Sequence, residues 1–195
     1  MAAKKAPQSL SSELEACTEE ADKLLAIFSS LLRISRIESG SYAAKFKSVD
    51  LKLIILDAIE LYNASADVKN VVLVSEIDDE IMINGERNLL FQLVVNLLDN
   101  AIKYAPEGSS VRVRAFLEYG KVIFIISDSG CGVPKDSYDE MTERFVRLDS
   151  SRTKQGSGLG LSLVNAVAKL HKAKLSFADN SPGLRVTIEF LTDTI

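Results

Sequence analysis

Asn96, Asn100 and Lys103 follow one another at steps of four and three within Phe91–Tyr104, so they share one face of a helix. Leu93, Leu97 and Leu98 take the apolar side. Asparagine is a poor helix former, because its amide competes for backbone hydrogen bonds, and two on one face need a reason. Carboxamide oxygens ligate hard cations, and a lysine ammonium neutralises phosphate. The face therefore reads as a platform for metal and phosphates, with Tyr104 beside it. The plainer alternative is an ordinary solvated polar face.

Glycine marks two further places. Five of the ten glycines fall between 130 and 160, in the clusters Asp128-Ser129-Gly130-Cys131-Gly132-Val133-Pro134 and Gly156-Ser157-Gly158-Leu159-Gly160-Leu161. Glycine lets backbone amides come close to a ligand. The second cluster opens into an apolar helix, so unpaired N–H groups and the positive end of the helix dipole meet at one spot that suits phosphate. Turns and caps use glycine too. In the first cluster, Asp128 follows the apolar run Val122–Ile126. A carboxylate there forms an Asx turn, or accepts a hydrogen bond from an amine such as that of adenine.

These residues need a scaffold. Leu14, Cys17, Ala21, Leu24, Phe28, Leu31 and Ser35 alternate steps of three and four, a heptad stripe on a helix from about Ser11 to Gly40. The reading adopted is a helix from an intermolecular bundle, separated by Ser39-Gly40-Ser41. The alternative is an amphipathic helix packed on its own domain. Ala44–Val49 reads as an edge strand. Asp50 is the N-cap of a helix to about Ala66. Val71–Ile77 and Glu80–Asn84 read as strands joined by an Asp78-Asp79 turn. A helix spans Arg87–Tyr104 and stops before Pro106 and Gly108. Ser110–Glu118 and Lys121–Ser127 form a hairpin about Tyr119-Gly120. Residues 128–158 are loop-like, with a helical turn near Glu140–Phe145. Leu159–His171 is a helix, and Lys174–Ala178 and Leu184–Leu191 are strands about Ser181-Pro182-Gly183. The fold class expected is α/β: a two-layer sandwich of a mixed, mainly antiparallel sheet and three helices, after a long N-terminal helix.

Composition narrows the rest. With 47% hydrophobic residues among 195, ten glycines and four prolines, the chain is globular. A net charge of −4 argues against a dedicated nucleic-acid binder. No apolar run approaches the ~20 residues of a membrane span, and the N-terminus has no signal-peptide core. Two cysteines, Cys17 and Cys131, make no disulfide framework and fit a reducing cytoplasm. A single histidine, His171, excludes a multi-histidine metal site from this chain alone.

Taken together and in order, the clusters resemble the ATP-binding domain of sensor histidine kinases. Asn96–Tyr104 resembles the N box and Asp128–Gly132 the first glycine box. Glu143–Arg147 resembles the F box and Gly156–Leu161 the second glycine box. The likeness covers residues 45–191. Leu32–Gly40 resembles the end of the second helix of the dimerisation and phosphoacceptor domain. This implies two parts: residues 1–40 as that helix, and residues 45–195 as a catalytic domain of the Bergerat ATP-binding fold, shared with the ATPases of gyrase and mismatch repair.

The resemblance implies roles by position. Asn96 would help ligate Mg²⁺, Asn100 would bind Mg²⁺ or phosphate, and Lys103 phosphate. Tyr104 would lie against the nucleotide. Asp128 would read the adenine amine, with Gly130 and Gly132 framing the base. Arg147 would approach the γ-phosphate. Gly156, Gly158, Leu159 and Gly160 would present the helix start to the phosphates, under a lid of Ser150–Ser157. Hydrolytic cousins carry a glutamate base where Asn96 stands. An amide cannot accept that proton, so slow hydrolysis and phosphoryl transfer to a protein imidazole are implied. The partners implied are a phosphoacceptor histidine domain and a response regulator, with a homodimer through residues 11–38.

Two positions depart from the pattern. Thr142 stands where the F box usually begins with phenylalanine, and His171-Lys172-Ala173 replaces a usual His-Gly-Gly. His171 reads as structural, at the end of the last helix and away from the phosphates. Two other functions fit the boxes: a stand-alone serine kinase of the same fold, as among anti-sigma-factor kinases, and a non-catalytic adaptor for a response regulator.

Overall fold

Alternating apolar residues in the C-terminal half set the sheet. In Ser110–Glu118, Val111, Val113 and Ala115 are buried while Arg112 and Arg114 are exposed, the period-two pattern of a strand with one covered face. The computed structural model describes residues 6–40, 42, 46–147 and 157–191. Along the chain lie α1 (Ala6–Glu38), β1 (Lys47–Asp50), α2 (Leu51–Val68), β2 (Val72–Ile77), β3 (Met82–Gly85) and α3 (Arg87–Tyr104). They are followed by β4 (Ser110–Glu118), β5 (Lys121–Ser127), α4 (Gly160–Leu170), β6 (Lys174–Asp179) and β7 (Leu184–Leu191). A short 3-10 turn, Glu140–Thr142, stands where a helical turn was expected near Glu140–Phe145, and a second, Lys135–Ser137, precedes it in a stretch expected to be loop.

The main sheet has five strands in the order β2-β4-β5-β7-β6, all antiparallel except β2 beside β4. Its register builds core layers: Ala115 faces Phe124, Phe124 faces Ile188, and Ile188 faces Leu175. Ala115, Phe124 and Ile188 are fully buried. Burying a side chain such as Phe124 stabilises the fold by roughly 1.5–3 kcal/mol. Leu51, Ile54, Ile55 and Ala58 of α2, Leu90, Leu93, Val94, Leu97 and Leu98 of α3, and Leu163, Val164 and Val167 of α4 complete the core. This is the expected sandwich of a mixed sheet and three helices after a long helix. No helix among the described residues is long and apolar enough to cross a membrane.

The fold corrects the strands around Asp78. β2 and β3 are not partners: β2 joins β4 in parallel, and β3 pairs with β1 in a separate two-stranded ribbon. Asp78 N–H donates to Ala115 at 2.9 Å and Leu51 N–H to Ile81 at 2.9 Å, so the segment runs on across the sheet instead of folding back. The edge strand expected at Ala44–Val49 is β1, Lys47–Asp50; residues 43–45 lie outside the described residues. Asp50 closes β1 and caps α2, accepting from Lys52 N–H at 2.9 Å.

The N-terminal helix divides into two stretches. Ile34 and Ile37 are buried against the domain, where α1 packs on α4. Leu14, Leu24 and Phe28 of the heptad stripe stay about 60% exposed. The fully buried docking residues, Ile34 and Ile37, lie beside that stripe, and Leu31 of the stripe also packs against the core.

Candidate functional site

Three loops converge at one end of α3 and α4. They enclose a cleft of about 270 Å³ whose walls include Asn96, Asn100, Lys103, Tyr104, Asp128, Gly132, Arg147, Gly158 and Gly160. Residues far apart in sequence thus come together in one concave site, as a ligand pocket requires. Gly130 stands behind the wall, its N–H donating to Asp128 Oδ1 at 2.8 Å. Leu159 is not on the wall: it is 1% exposed and belongs to the core, because the N-cap position of α4 turns its side chain inward. Gly156 and all of the expected lid Ser150–Ser157 except Ser157 lie outside the described residues.

Asp128 sits where β5 leaves the sheet and is 7% exposed. It makes the Asx turn to Gly130 and also lines the cleft. The turn between β6 and β7 fixes it. Asp128 N–H donates to Leu184 at 3.0 Å, and Asn180 Nδ2 donates to the Asp128 carbonyl at 2.8 Å. A Cβ on Gly183 would stand 2.0 Å from that carbonyl oxygen.

Asn96 is oriented from one turn before. Its Nδ2 donates to the Gln92 carbonyl at 2.7 Å, which leaves Oδ1 towards α4; a Cβ on Gly160 would lie 3.3 Å from it. Asn100 presents Nδ2 to the same place, 3.7 Å from that position. A carboxamide oxygen beside a helix start suits a hard cation that keeps waters and phosphate oxygens as its other ligands, as Mg²⁺ does. Among the described residues no three His, Cys, Asp or Glu side chains gather to hold a metal. This donor set thus fits Mg²⁺ brought with phosphates and not a dedicated protein cage.

Two supports escaped the sequence reading. Lys69, at the C-cap of α2, donates to the carbonyls of Ile102, Lys103 and Ala105 at 2.6, 2.8 and 2.5 Å. A cation on the last carbonyls of α3 stabilises the turn that carries Lys103 and Tyr104. Tyr62 of α2 donates to Asp99, another cleft residue; its hydroxyl is pushed up to about 12, first by burial and then by the Asp99 charge and hydrogen bond. Met141 and Cys131 also line the cleft. A lysine ending one helix and capping another leaves no local pattern to find.

Where Phe145 meets Gly158 beside the cleft, the backbone is strained. Phe145 has φ +65°, rare for a bulky residue, and its N–H donates to Gly158 at 3.0 Å. Gly158 has φ +72°, and a Cβ there would stand 2.9 Å from Phe145 Cα. Only glycine fits at that position.

His171 lies at the other end of α4, buried and away from the cleft. Its Nε2 accepts from Glu86 N–H at 3.1 Å, which makes Nδ1 the protonated nitrogen, donating to the Val167 carbonyl at 2.8 Å. The ring stacks on Phe46 at 4.6 Å. Burial lowers its pKa, against the opposing pull of the Val167 carbonyl and the Glu86 charge. A neutral imidazole thus ties the end of α4 to the start of α3.

Known proteins share this architecture. Residues 85–194 match the histidine kinase-, DNA gyrase B- and HSP90-like ATPase family. The sensor-like histidine kinase SenX3 of Mycolicibacterium smegmatis is 28% identical over 83% of this chain and 42% of its own. The non-motile and phage-resistance protein of Caulobacter vibrioides is 32% identical over 86% of this chain and 20% of its own. The chain thus spans less than half the length of these relatives. The solved structure of the mycobacterial sensor histidine kinase MprB superposes with a TM-score of 0.66 at 28% identity, over 74% of this chain and 96% of that one.

Proposed function

The chain belongs to the histidine kinase-, DNA gyrase B- and HSP90-like ATPase family, and from that premise we propose that it is the ATP-binding catalytic part of a cytoplasmic sensor histidine kinase. The observation that carries this reading is the convergence of Asn96, Asn100, Lys103, Asp128, Arg147, Gly158 and Gly160 on one cleft.

Each residue acts by what it offers. Asp128 accepts a hydrogen bond from the adenine amine at the sheet end, with Gly132 beside the base and Tyr104 along the nucleotide. Lys103 and Arg147 neutralise phosphate charge, and Gly158 together with the start of α4 at Gly160 offers backbone amides towards the same place. Asn96 Oδ1 is the metal ligand, and Asn100 serves metal or phosphate. Bound Mg²⁺ supplies charge neutralisation across the phosphates. Phosphoryl transfer needs mainly such positioning, and Asn96 offers no base to activate water.

The acceptor is an imidazole other than His171. In-line transfer needs the nucleophile within ~3.5 Å of phosphorus. The 11 residues of α4 put His171 about 16 Å from the helix start at ~1.5 Å per residue. The acceptor belongs to a phosphoacceptor domain, which passes the phosphoryl group to a response regulator. The exposed stripe of Leu14, Leu24 and Phe28 pairs with a second copy through residues 11–38. Calorimetric titration with Mg-ATP, followed by radiolabelling with γ-labelled ATP, tests the reading. We expect saturable Mg-ATP binding and no acid-labile label on this chain alone. Absence of nucleotide binding, the adaptor's behaviour, would refute it; acid-labile label lost in His171→Ala would overturn the assignment of the acceptor.

A further inference from the structure

We propose that α1 helps to build the phosphate end of the cleft: the ion pair of Glu38 with Arg144 holds residues 144–147 in the conformation that places Arg147 and Gly158 on its wall. The inference rests on the nucleotide reading above and adds two positioning residues to it, both outside the cleft.

Arg144 Nη2 donates to both carboxylate oxygens of Glu38 at 2.6 Å, across 106 residues of sequence. The next residue, Phe145, holds φ +65° although its side chain is 55% exposed. Core burial therefore does not hold this strained backbone. Such strain persists only where the surroundings over-determine it. On one side the restraint is Phe145 N–H on the Gly158 carbonyl; on the other it is Arg144 on Glu38. Glu38 is itself placed by Ile37, buried in the preceding position. Val146 and Arg147, which follow the strained residue, line the cleft.

α1 also reaches the cleft from behind. Arg33 Nη1 donates to Gln92 Oε1 at 2.6 Å, and a second cavity of about 140 Å³ between α1 and the domain shares Asn96, Ser157 and Gly160 with the first. The docked helix thus backs the phosphate end, and the Glu38–Arg144 pair is its link to the segment that carries Arg147.

An exposed ion pair contributes little to global stability, so its loss should register at the nucleotide and leave the fold intact. The experiment titrates the whole chain with Mg-ATP and with Mg-ADP, comparing the parent, Glu38→Arg, Arg144→Glu and the double reversal. Each single variant should weaken Mg-ATP about fivefold, the double should return to within about twofold of the parent, and Mg-ADP should change by less than about twofold throughout. Melting temperatures should stay within about 2 °C. A simple field effect predicts something else, since Glu38→Arg adds positive charge near the phosphates and would tighten ATP. Tighter ATP binding by Glu38→Arg, equal losses of ATP and ADP, singles that bind like the parent, or a double reversal that fails to recover would each overturn the inference. A parent that binds no nucleotide would overturn the reading of the cleft, and this inference with it.

Discussion

The two ends of the cleft are built from different materials. The end assigned to the base rests on the sheet: Asp128 leaves β5, is 7% exposed, and is gripped by the turn between β6 and β7. The end assigned to the phosphates rests on helix starts and loop: Asn96 from α3, Gly160 from α4, Arg147 after a strained Phe145, and an exposed ion pair to α1. One end is buried and braced by the sheet; at the other, the described restraints on the strained Phe145 include its N–H bond to Gly158 and the exposed ion pair of Arg144 with Glu38. Under the proposed function, a site that discriminates a rigid ring yet lets a phosphoryl group pass to another protein has reason to be stiff at one end and releasable at the other.

The largest effects should therefore come from the sheet end. Gly183→Ala puts a Cβ 2.0 Å from the Asp128 carbonyl oxygen at φ +111°. Left-handed strain and the clash together should cost about 2–4 kcal/mol, read as a lower urea midpoint. An unchanged midpoint would mean that this turn does not brace Asp128. Asp128→Asn should follow. Replacing the acceptor for the adenine amine should lower nucleotide affinity roughly tenfold to a hundredfold by calorimetry, and weaken the preference for ATP over GTP. Equal binding by parent and variant would remove adenine from this end.

The same contrast explains what the sequence revealed. The α3 platform, the Asp50 cap and the β4–β5 hairpin are local: periodicity, a capping residue and a two-residue turn determine them within a few positions. The fold class followed from their alternation. The parallel pairing of β2 with β4, the docking of Ile34 and Ile37, and the grip of Gly183 on Asp128 are contacts across tens of residues, which no window of sequence contains. Gly183 reads as an ordinary turn glycine, and its close approach to Asp128 becomes visible only in three dimensions. Leu159 shows the limit of motif reasoning: it lies inside a glycine cluster, but the start of α4 turns it into the core.

Lys69 joins the two ends. It caps the last turn of α3, which carries Lys103 and Tyr104, and a Cβ on Gly130 would stand 2.7 Å from the Tyr104 carbonyl oxygen. Lys69→Met should cost about 1–2 kcal/mol, because three helix-end carbonyls lose a cationic donor. Hydrogen exchange should accelerate in the last turn of α3 before it does elsewhere. Uniform acceleration would mean that the cap serves the fold and not this joint in particular.

The smallest effect probes the far end of α4, whose start borders the end assigned to the phosphates. His171 is bound in its neutral form: Nε2 must keep a lone pair for Glu86 N–H, and burial lowers the imidazole pKa below its ordinary 6.5. Below that value the unfolded chain takes up a proton that the folded chain refuses, so the unfolded state binds more protons and stability falls as pH falls. The loss begins near pH 6.5 and ends once pH drops below the lowered folded value, where both states are protonated. Its slope cannot exceed about 1.4 kcal/mol per pH unit, since a single group is involved. Urea midpoints measured from pH 7.5 down to 5.5 should therefore decline in the parent. In His171→Leu the curve should start lower, because Glu86 N–H loses its acceptor, and stay flatter through the same interval. Parallel curves would assign the acid sensitivity to other groups and would loosen the view that a neutral imidazole anchors α4 against α3.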